Sequence, residues 1–496
     1  MKMFDNKFVF VTLLAVFMVV SSQVCASGIG PSSMEVKNMF ISGSADISVL
    51  AIDNETDFSG TYSDGTNDDY EDDTKSRVLL TYGFDVGDDI IVRLVLNKNN
   101  DYWDSLQGME KLDNLTADIR VYNAYFQYRY GIPGIFGTKF TVGRQFFGNP
   151  GDLALYFGPV DDFNLSVNSL DMLRFEAERL FGFLGIDMFV SKLNEAATFS
   201  TTLRKRNWDT DLVGTKVKAE GLLPGTTLAV YYYGYYDQAP DEKSVDALTL
   251  VGLQLGGILL VENVKYGLEF CQDFGAKKET SNSIGSKIRP SYNGNGLLAN
   301  LCLKSNPINL VFVDNIVSFT AAYALGSGDS AVTEDKDEGF WSLNPDLHYG
   351  DIWWRTVTGL GPEKTGSTGL QNKQVVDLVL TNEFVVPNSE KRVTVSLKYM
   401  KVQNVVVSTG DAVATLNLDE SKHDVGNEIG LIIEEEFSKA LSVGISFSQF
   451  NPGNRYTYRD SVVKTGVFIR LKFDHIFGEK KSGVLWPVPD NLASIK

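Results

Sequence analysis

The sequence predicts an all-β protein, a transmembrane antiparallel β-barrel of about eighteen strands with short periplasmic turns and long extracellular loops. Three observations lead to this prediction. Apolar and polar residues alternate with a period of two along most of the chain, helical periodicity is nowhere sustained, and short connections alternate with long ones. A soluble β-sandwich also has alternating strands, but nothing in that fold requires its connections to alternate in length.

The first 26 residues have the features of a secretory signal peptide. Lys2 and Lys7 precede an apolar run over residues 8–20. Val24 and Ala26 then occupy the positions that a signal peptidase reads. The apolar run is shorter than the roughly 20 residues that a membrane-spanning helix needs, so a membrane anchor is the less favoured alternative. We therefore predict a cleaved signal peptide over residues 1–26, an outer-membrane barrel over 27–477 and a periplasmic tail over 478–496.

Composition limits the partners of this 496-residue chain. Its net charge of -18 argues against a nucleic-acid partner, because such a surface needs clustered positive charge. No proline-rich or serine-rich linker divides the chain, which favours one large domain. Only Cys271 and Cys302 remain after the signal peptide, too few to hold so long a chain together. The expected partners are outer-membrane lipid and lipopolysaccharide, the barrel-insertion machinery, and small solutes or polysaccharide.

Alternation is visible strand by strand. In the first run, Ile41, Gly43, Ala45, Ile47 and Val49 share one face, and Ser42, Ser44, Asp46 and Ser48 share the other. The same pattern recurs in runs over residues 122–130, 173–178, 213–220, 441–448 and 467–473. An outer-membrane barrel turns the apolar face toward lipid and the polar face toward the lumen. An even number of strands also returns both termini to the periplasm.

The long connections should form the extracellular loops. They cover residues 53–75, 98–116, 148–168, 194–207, 275–290, 326–372, 408–425 and 451–459, with 238–244 as a shorter member of the set. The longest begins at Ser327-Gly-Asp329, directly after an apolar alternating run. We expect Ser327 and Asp329 to mark the pore rim and the loop to lie over the mouth or fold into the lumen.

Several of these strands resemble the alginate-export family of outer-membrane porins. The similar segments are Val121–Tyr128 with Phe140–Gln145, Tyr266–Gln272 with Phe274-Gly275, Ser327–Asp329 with Phe340–His348, and Val425–Leu431 with Leu441–Gly453. They look like the family's strand pair ending in Gly-Arg-Gln, its Gln-Phe-Gly strand, its Ser-Gly-Asp loop and its last hairpin. The resemblance implies an eighteen-stranded barrel that passes anionic polysaccharide.

Selectivity in such a barrel depends on charged rings along the inner wall. The predicted lumen residues are Arg93, Arg129, Arg144, Arg174, Lys216, Lys218 and Arg470. Strict alternation from Val142 would turn Arg144 toward lipid, where a cation near the midplane costs about 2–4 kcal/mol. We therefore expect a β-bulge at Gly143 that turns Arg144 inward, where it would form a constriction ladder with Arg129 and Arg174.

The expected function is an outer-membrane channel for anionic or neutral saccharides and other small solutes. An alternative is a structural surface barrel whose loops plug the lumen. A barrel hydrolase is disfavoured because His348, His423 and His475 do not stand beside a serine or cysteine in a catalytic pattern. No spacing suggests a metal site, and we expect no cofactor and no enzyme activity.

Overall fold

The structure is a computed structural model. It describes residues 36–53, 70–87, 89–100, 119–129, 135–159, 168–196, 208–221, 224–238, 246–259, 263–277, 280–281, 287–310, 312–329, 335–344, 349–350, 352, 370–387, 389–406, 422–456 and 460–477. The predicted signal peptide and the predicted C-terminal tail lie outside these residues. Their boundaries stay predictions.

The described residues form an antiparallel barrel of eighteen long strands. In chain order the strands are β1 (Val36–Asp53), β2 (Tyr70–Val86), β3 (Ile90–Asn100), β4 (Ile119–Arg129), β5 (Lys139–Gln145), β6 (Leu170–Leu180), β7 (Leu184–Ala196), β8 (Trp208–Glu220), β9 (Thr226–Gln238), β10 (Asp246–Ile258), β11 (Val264–Ala276), β12 (Asn295–Lys304), β13 (Val313–Gly326), β14 (Lys373–Val385), β15 (Arg392–Asn404), β16 (Asp424–Ser438), β17 (Leu441–Pro452) and β18 (Val462–Phe477). The predicted fold class is confirmed.

The barrel closes between its first and last strands. β18 pairs with β1 in one unbroken register, from Met39 opposite Phe477 to Asp53 opposite Val463. Each of the other strands pairs antiparallel with its neighbours in the sequence. Closure leaves no unpaired sheet edge along the seam, as a bilayer requires because hydrocarbon offers no hydrogen-bond partner.

The alternating pattern separates an outer face from an inner one. Large apolar side chains on the outer face are solvent-accessible, including Leu173 at 44% and Ile445 at 53%. The alternate residues turn inward and are buried, as with Met172 beside Leu173. An accessible apolar wall around a closed barrel is stable in hydrocarbon and not in water, which places this protein in the bacterial outer membrane. Among the residues that the structure describes, no helix is long and apolar enough to cross a membrane.

Connection lengths follow the predicted alternation. Gly87–Asp89 and Lys439–Ala440 join strands at one end of the barrel, and the long connections join strands at the other. The longest connection begins after Gly326 and ends before Lys373, within one residue of the predicted range. Two of the long connections do not stay outside the barrel, and they build the candidate functional site.

Candidate functional site

The connection between β5 and β6 folds into the lumen. We call residues 146–159 the first inner loop. Its ends pair with each other, with Phe147 opposite Phe157. Leu153 and Leu155, at its tip, are at most 1% exposed, and they belong to the same apolar cluster as inward-facing wall residues such as Leu212 and Leu250. Loop residues are buried to this degree only when the barrel wall surrounds them.

Polar wall residues bind the main chain and side chains of the first inner loop. The Leu153 amide N donates to Glu269 Oε2 of β11 at 3.0 Å, and the Tyr231 hydroxyl of β9 donates to Glu269 Oε1 at 2.7 Å. Asp152 makes an ion pair with Lys216 Nζ at 3.7 Å and accepts a hydrogen bond from Gln254 Nε2 at 3.3 Å. The loop is therefore held by hydrogen bonds and an ion pair as well as by apolar packing.

The connection between β13 and β14 contributes a second inner loop, which we define as its described residues from 335 to 352. Two wall carboxylates bind its main chain: the Trp341 amide donates to Asp273 Oδ2 at 2.9 Å, and the Ile352 amide donates to Glu428 Oε2 at 3.1 Å. The Phe340 ring, on the residue before Trp341, is fully buried. This ring packs against Gly296 of β12, where an added Cβ would lie 2.7 Å from it.

The two inner loops contact each other inside the barrel. Leu155 and Leu343 form a parallel β-bridge, and the Leu343 amide donates to Ala154 O at 2.8 Å. Ser342 Oγ donates to Leu153 O at 2.6 Å. Together the loops cross and narrow the lumen.

A neighbouring extracellular segment supports the second inner loop. Ser291–Tyr292 pairs in parallel with Lys336–Asp337, and Lys277 Nζ lies 4.4 Å from the centre of the Trp341 ring. Burial raises the pKa of Tyr292 above its usual range. The Asp246 carboxylate, which accepts a hydrogen bond from the Tyr292 hydroxyl at 2.7 Å, raises it further. Tyr292 thus donates a hydrogen bond to Asp246 while its main chain pairs with the second inner loop.

Four of the predicted site residues lie together on the inner wall of β4 to β8. Lateral pairing aligns Arg129, Lys139, Glu176, Asp187 and Lys216, one on each strand. We call this the charged row. Arg174 contacts it with Nη2, at 2.9 Å from Glu176 Oε1 and 2.7 Å from Asp187 Oδ2. Lys218, two residues from Lys216, has an exposed side chain.

Acidic partners compensate the cations of this region. Arg174 contacts two carboxylates, Lys216 pairs with Asp152, and Lys139 pairs with Glu178. Taken together, the row and its contacts contain four cations (Arg129, Lys139, Arg174 and Lys216) and four anions (Asp152, Glu176, Glu178 and Asp187), so their formal charges balance. Alternation predicts an inward face for these residues, and the structure adds their partners.

The other two inward-facing candidates also have acidic partners. Arg93 lies 3.5 Å from Asp85 and stacks over the Phe40 ring at 4.5 Å. Arg470, on β18, lies 3.7 Å from Glu434 and 4.6 Å from the Phe468 ring centre. Neither residue forms a continuous ladder with Arg174.

The prediction that Arg144 faces the lumen is wrong. The register of β5 continues without a bulge through Gly143 on both sides, opposite Tyr125 of β4 and Met172 of β6. Gly143 does have a positive φ of 120°, but it is needed for close packing, because an added Cβ would lie 2.2 Å from Ala124 O. Arg144 therefore remains on the outer face, as strict alternation requires.

A carboxylate on the outer face accounts for the outward Arg144. Its Nε and Nη2 donate to the two oxygens of Asp171 on β6, at 3.0 and 2.6 Å. Its Nη1 donates to Val121 O at 3.3 Å. β5 has only seven residues, so Arg144 stands near its extracellular end. There the cost of an outward cation falls to about 0–1 kcal/mol.

This position predicts that Arg144→Glu leaves ion selectivity unchanged. The side chain lies outside the conduction path, so the reversal potential in a salt gradient should match that of the wild type. The variant places two carboxylates side by side and should lower barrel stability by about 1 kcal/mol or less, as expected for an exposed pair. The double variant Arg144→Glu with Asp171→Arg should restore stability. A shifted reversal potential would contradict the outward placement.

Ser327 has a structural role at the start of the longest connection. Its hydroxyl accepts from the Asn295 amide at 2.8 Å and donates to Glu338 O at 2.5 Å, and its carbonyl accepts from the Phe340 and Asn372 amides, both at 3.0 Å. It therefore joins β12 to both ends of the connection. Asp329 is half-buried at the end of the described segment.

Sequence reasoning missed the residues that hold the inner loops. Alternation turns Glu269 and Glu428 inward but gives them no role, and it does not distinguish Asp273 or Phe340 from their neighbours. A usable signal was the pair of inward carboxylates Glu269 and Asp273 on either side of Cys271 on one strand. Both Cys271 and Cys302 are free thiols. No cluster of potential metal ligands occurs among the described residues.

Comparison with known proteins supports the fold. Neither a protein-family model nor a curated protein matches the sequence. Among solved structures, OccAB4 of Acinetobacter baumannii has a TM-score of 0.52 at 10% identity, covering 90% of this chain and 100% of that one. OccAB1 of the same organism has a TM-score of 0.51 at 11% identity, covering 88% and 96%. OccK11 (OpdR) of Pseudomonas aeruginosa has a TM-score of 0.50 at 11% identity, covering 90% and 99%.

These neighbours are outer-membrane porins with eighteen-stranded barrels. At such low identity, the likeness shows the fold alone, and it does not support the alginate-export family specifically. The chain is therefore an eighteen-stranded barrel of the bacterial outer membrane.

Proposed function

We propose that this protein is an outer-membrane channel for small polar solutes, with neutral saccharides as the favoured class. The observation that carries the proposal is the meeting of two inner loops across the lumen, joined by the Ser342–Leu153 and Leu343–Ala154 hydrogen bonds. Loops that cross a barrel reduce its width and leave room for small molecules. A polysaccharide chain would need a wider path.

The balance of charge supports neutral solutes within this class. A channel for polyanions gains from unpaired cations that attract them. Here Arg174 and Lys216 are neutralised by carboxylates, and Arg129 and Lys218 are the cations of the region for which the structure gives no such pair. Alginate export, which the sequence motifs suggested, is therefore the less favoured substrate hypothesis.

A plugged structural barrel is the second candidate. The complete burial of Leu153 and Phe340 favours it, because tightly packed loop residues leave little free space around them. In that case the barrel would serve as a surface anchor that interacts with lipopolysaccharide through its outer face. The two candidates differ in whether the barrel conducts ions at rest.

The deciding experiment is conductance of the refolded protein in a planar bilayer, combined with liposome swelling. We expect open channels with weak ion selectivity, and swelling rates that fall steeply from monosaccharides to trisaccharides. Proteoliposomes containing inactive, unfolded protein provide the control for leakage. A silent bilayer and no swelling would favour the anchor, and equal rates for all sugars would contradict a narrowed lumen.

A further inference from the structure

We infer that Glu269 positions both inner loops and thereby sets the width of the constriction. This inference rests on the proposed channel function and adds a residue that controls it. Glu269 lies on β11 in the barrel wall and is 5% exposed. Its side chain binds the first inner loop, so we expect it to act on solutes through the position of that loop.

The first step is the way in which Glu269 binds the first inner loop. Each of its two carboxyl oxygens accepts one hydrogen bond, from the Leu153 amide at 3.0 Å and from the Tyr231 hydroxyl at 2.7 Å. The Leu153 amide lies at the buried tip of the loop. Tyr231 orients the carboxyl group toward the loop.

The second step is that the second inner loop depends on the position of the first. The second inner loop donates three hydrogen bonds to the carbonyls of residues 152–154, which flank the Leu153 amide. Ser342 Oγ donates to Leu153 O, the Leu343 amide donates to Ala154 O, and Asn344 Nδ2 donates to Asp152 O at 2.5 Å. If the first loop leaves Glu269, the second loop loses these acceptors.

The remaining wall carboxylates affect the second loop alone. Asp273 accepts from the Trp341 amide, and Glu428 accepts from the Ile352 amide. Loss of either would free part of the second loop and leave the first loop bound to Glu269. Among these three wall carboxylates, Glu269 is therefore the one that binds the first loop and, through it, supports the second.

The chain contains its own reporter for this arrangement. Cys271 lies two residues from Glu269 on the same inward face of β11, is fully buried, and belongs to the cluster that contains Leu153. Release of the loops would expose its thiol to water in the lumen. Cys302, which is half-buried on β12, would react independently and is removed by Cys302→Ser.

The test compares Glu269→Leu with the parent on a Cys302→Ser background. Leucine has a similar size and no acceptor, so the Leu153 amide and the Tyr231 hydroxyl both lose their partner, whereas a glutamine could bind both through its oxygen and its NH₂ group. We expect a small maleimide to label Cys271 roughly 10- to 100-fold faster, as leaving a buried donor without its acceptor predicts. Single-channel conductance should rise in parallel.

Two control variants separate positioning from a general loss of lumen charge. Glu434→Leu removes an inward carboxylate whose partner is Arg470 and should change neither readout. Glu428→Leu removes an acceptor of the second loop only and should raise conductance less than Glu269→Leu does. Heat-modifiable electrophoretic mobility confirms that each barrel is folded.

The outcomes distinguish this inference from the proposed function. Unchanged Cys271 labelling in folded Glu269→Leu protein would overturn the inference, whether or not the wild type conducts. Faster labelling with a silent wild type would support the inference and count against the channel. Faster labelling without a rise in conductance would overturn the part of the inference that concerns width.

Discussion

Phe340→Ala should release the second inner loop and raise the single-channel conductance of the barrel. The ring is fully buried against Gly296, and truncating a buried phenylalanine costs about 3–5 kcal/mol. That loss is comparable to the contributions of the loop's few hydrogen bonds to the wall carboxylates, each typically about 1.5–3 kcal/mol. The barrel itself should stay folded because its strand pairing does not involve Phe340.

A second variant tests the same contact from the wall. Gly296→Ala places a Cβ 2.7 Å from the Phe340 ring, so the ring must move and conductance should rise in the same direction. Phe319→Ala is the matched control, because Phe319 lies on the outer face of β13 and is 38% exposed. Planar-bilayer recordings give the single-channel conductance of all three variants. Unchanged conductance in folded Phe340→Ala protein would show that the second loop does not narrow the lumen.

Arg174→Met should make the channel prefer cations. The substitution leaves Glu176 and Asp187 without the cation that binds both, at 2.9 and 2.7 Å. Removing one partner of a buried ion pair costs about 3–5 kcal/mol, and the partial exposure of Arg174 places the cost near the lower end. The reversal potential in a KCl gradient should move toward the potassium equilibrium potential, and barrel stability should fall.

The outer wall provides a matched control for this prediction. Arg144→Met removes the same charge with the same change of side chain, but from a residue that faces away from the lumen. It should leave the reversal potential unchanged. Arg174→Lys should fall between Arg174→Met and the wild type, since a lysine cannot bind two carboxylates with the planar geometry of a guanidinium. Equal shifts in Arg174→Met and Arg144→Met would show that Arg174 acts only through overall charge.

The inner wall could be predicted from the sequence to a large extent. Arg93, Arg129, Arg174 and Lys216 turn inward as expected because side chains of a strand alternate between two faces, and the apolar residues of each strand identify the lipid face. The predicted inward placement of Arg144 was wrong because it relied on the energetic cost of a lipid-facing cation and set strict alternation aside. The Asp171 partner on β6, which removes that cost, lies 27 residues away and has no periodic relation to Arg144.

The sequence by itself determined the barrel: its strands, the alternation of short and long connections, and the identity of the residues on each face. Those properties follow from local periodicity, which the pleat of a strand imposes on neighbouring residues. Only the tertiary structure decided that two connections fold into the lumen, that Glu269 binds Leu153 across 116 residues of sequence, and that Lys139, Arg174 and Lys216 pair with carboxylates. Loops have no periodic pattern, and ion pairs depend on strand register, so these contacts exist only once the barrel has closed.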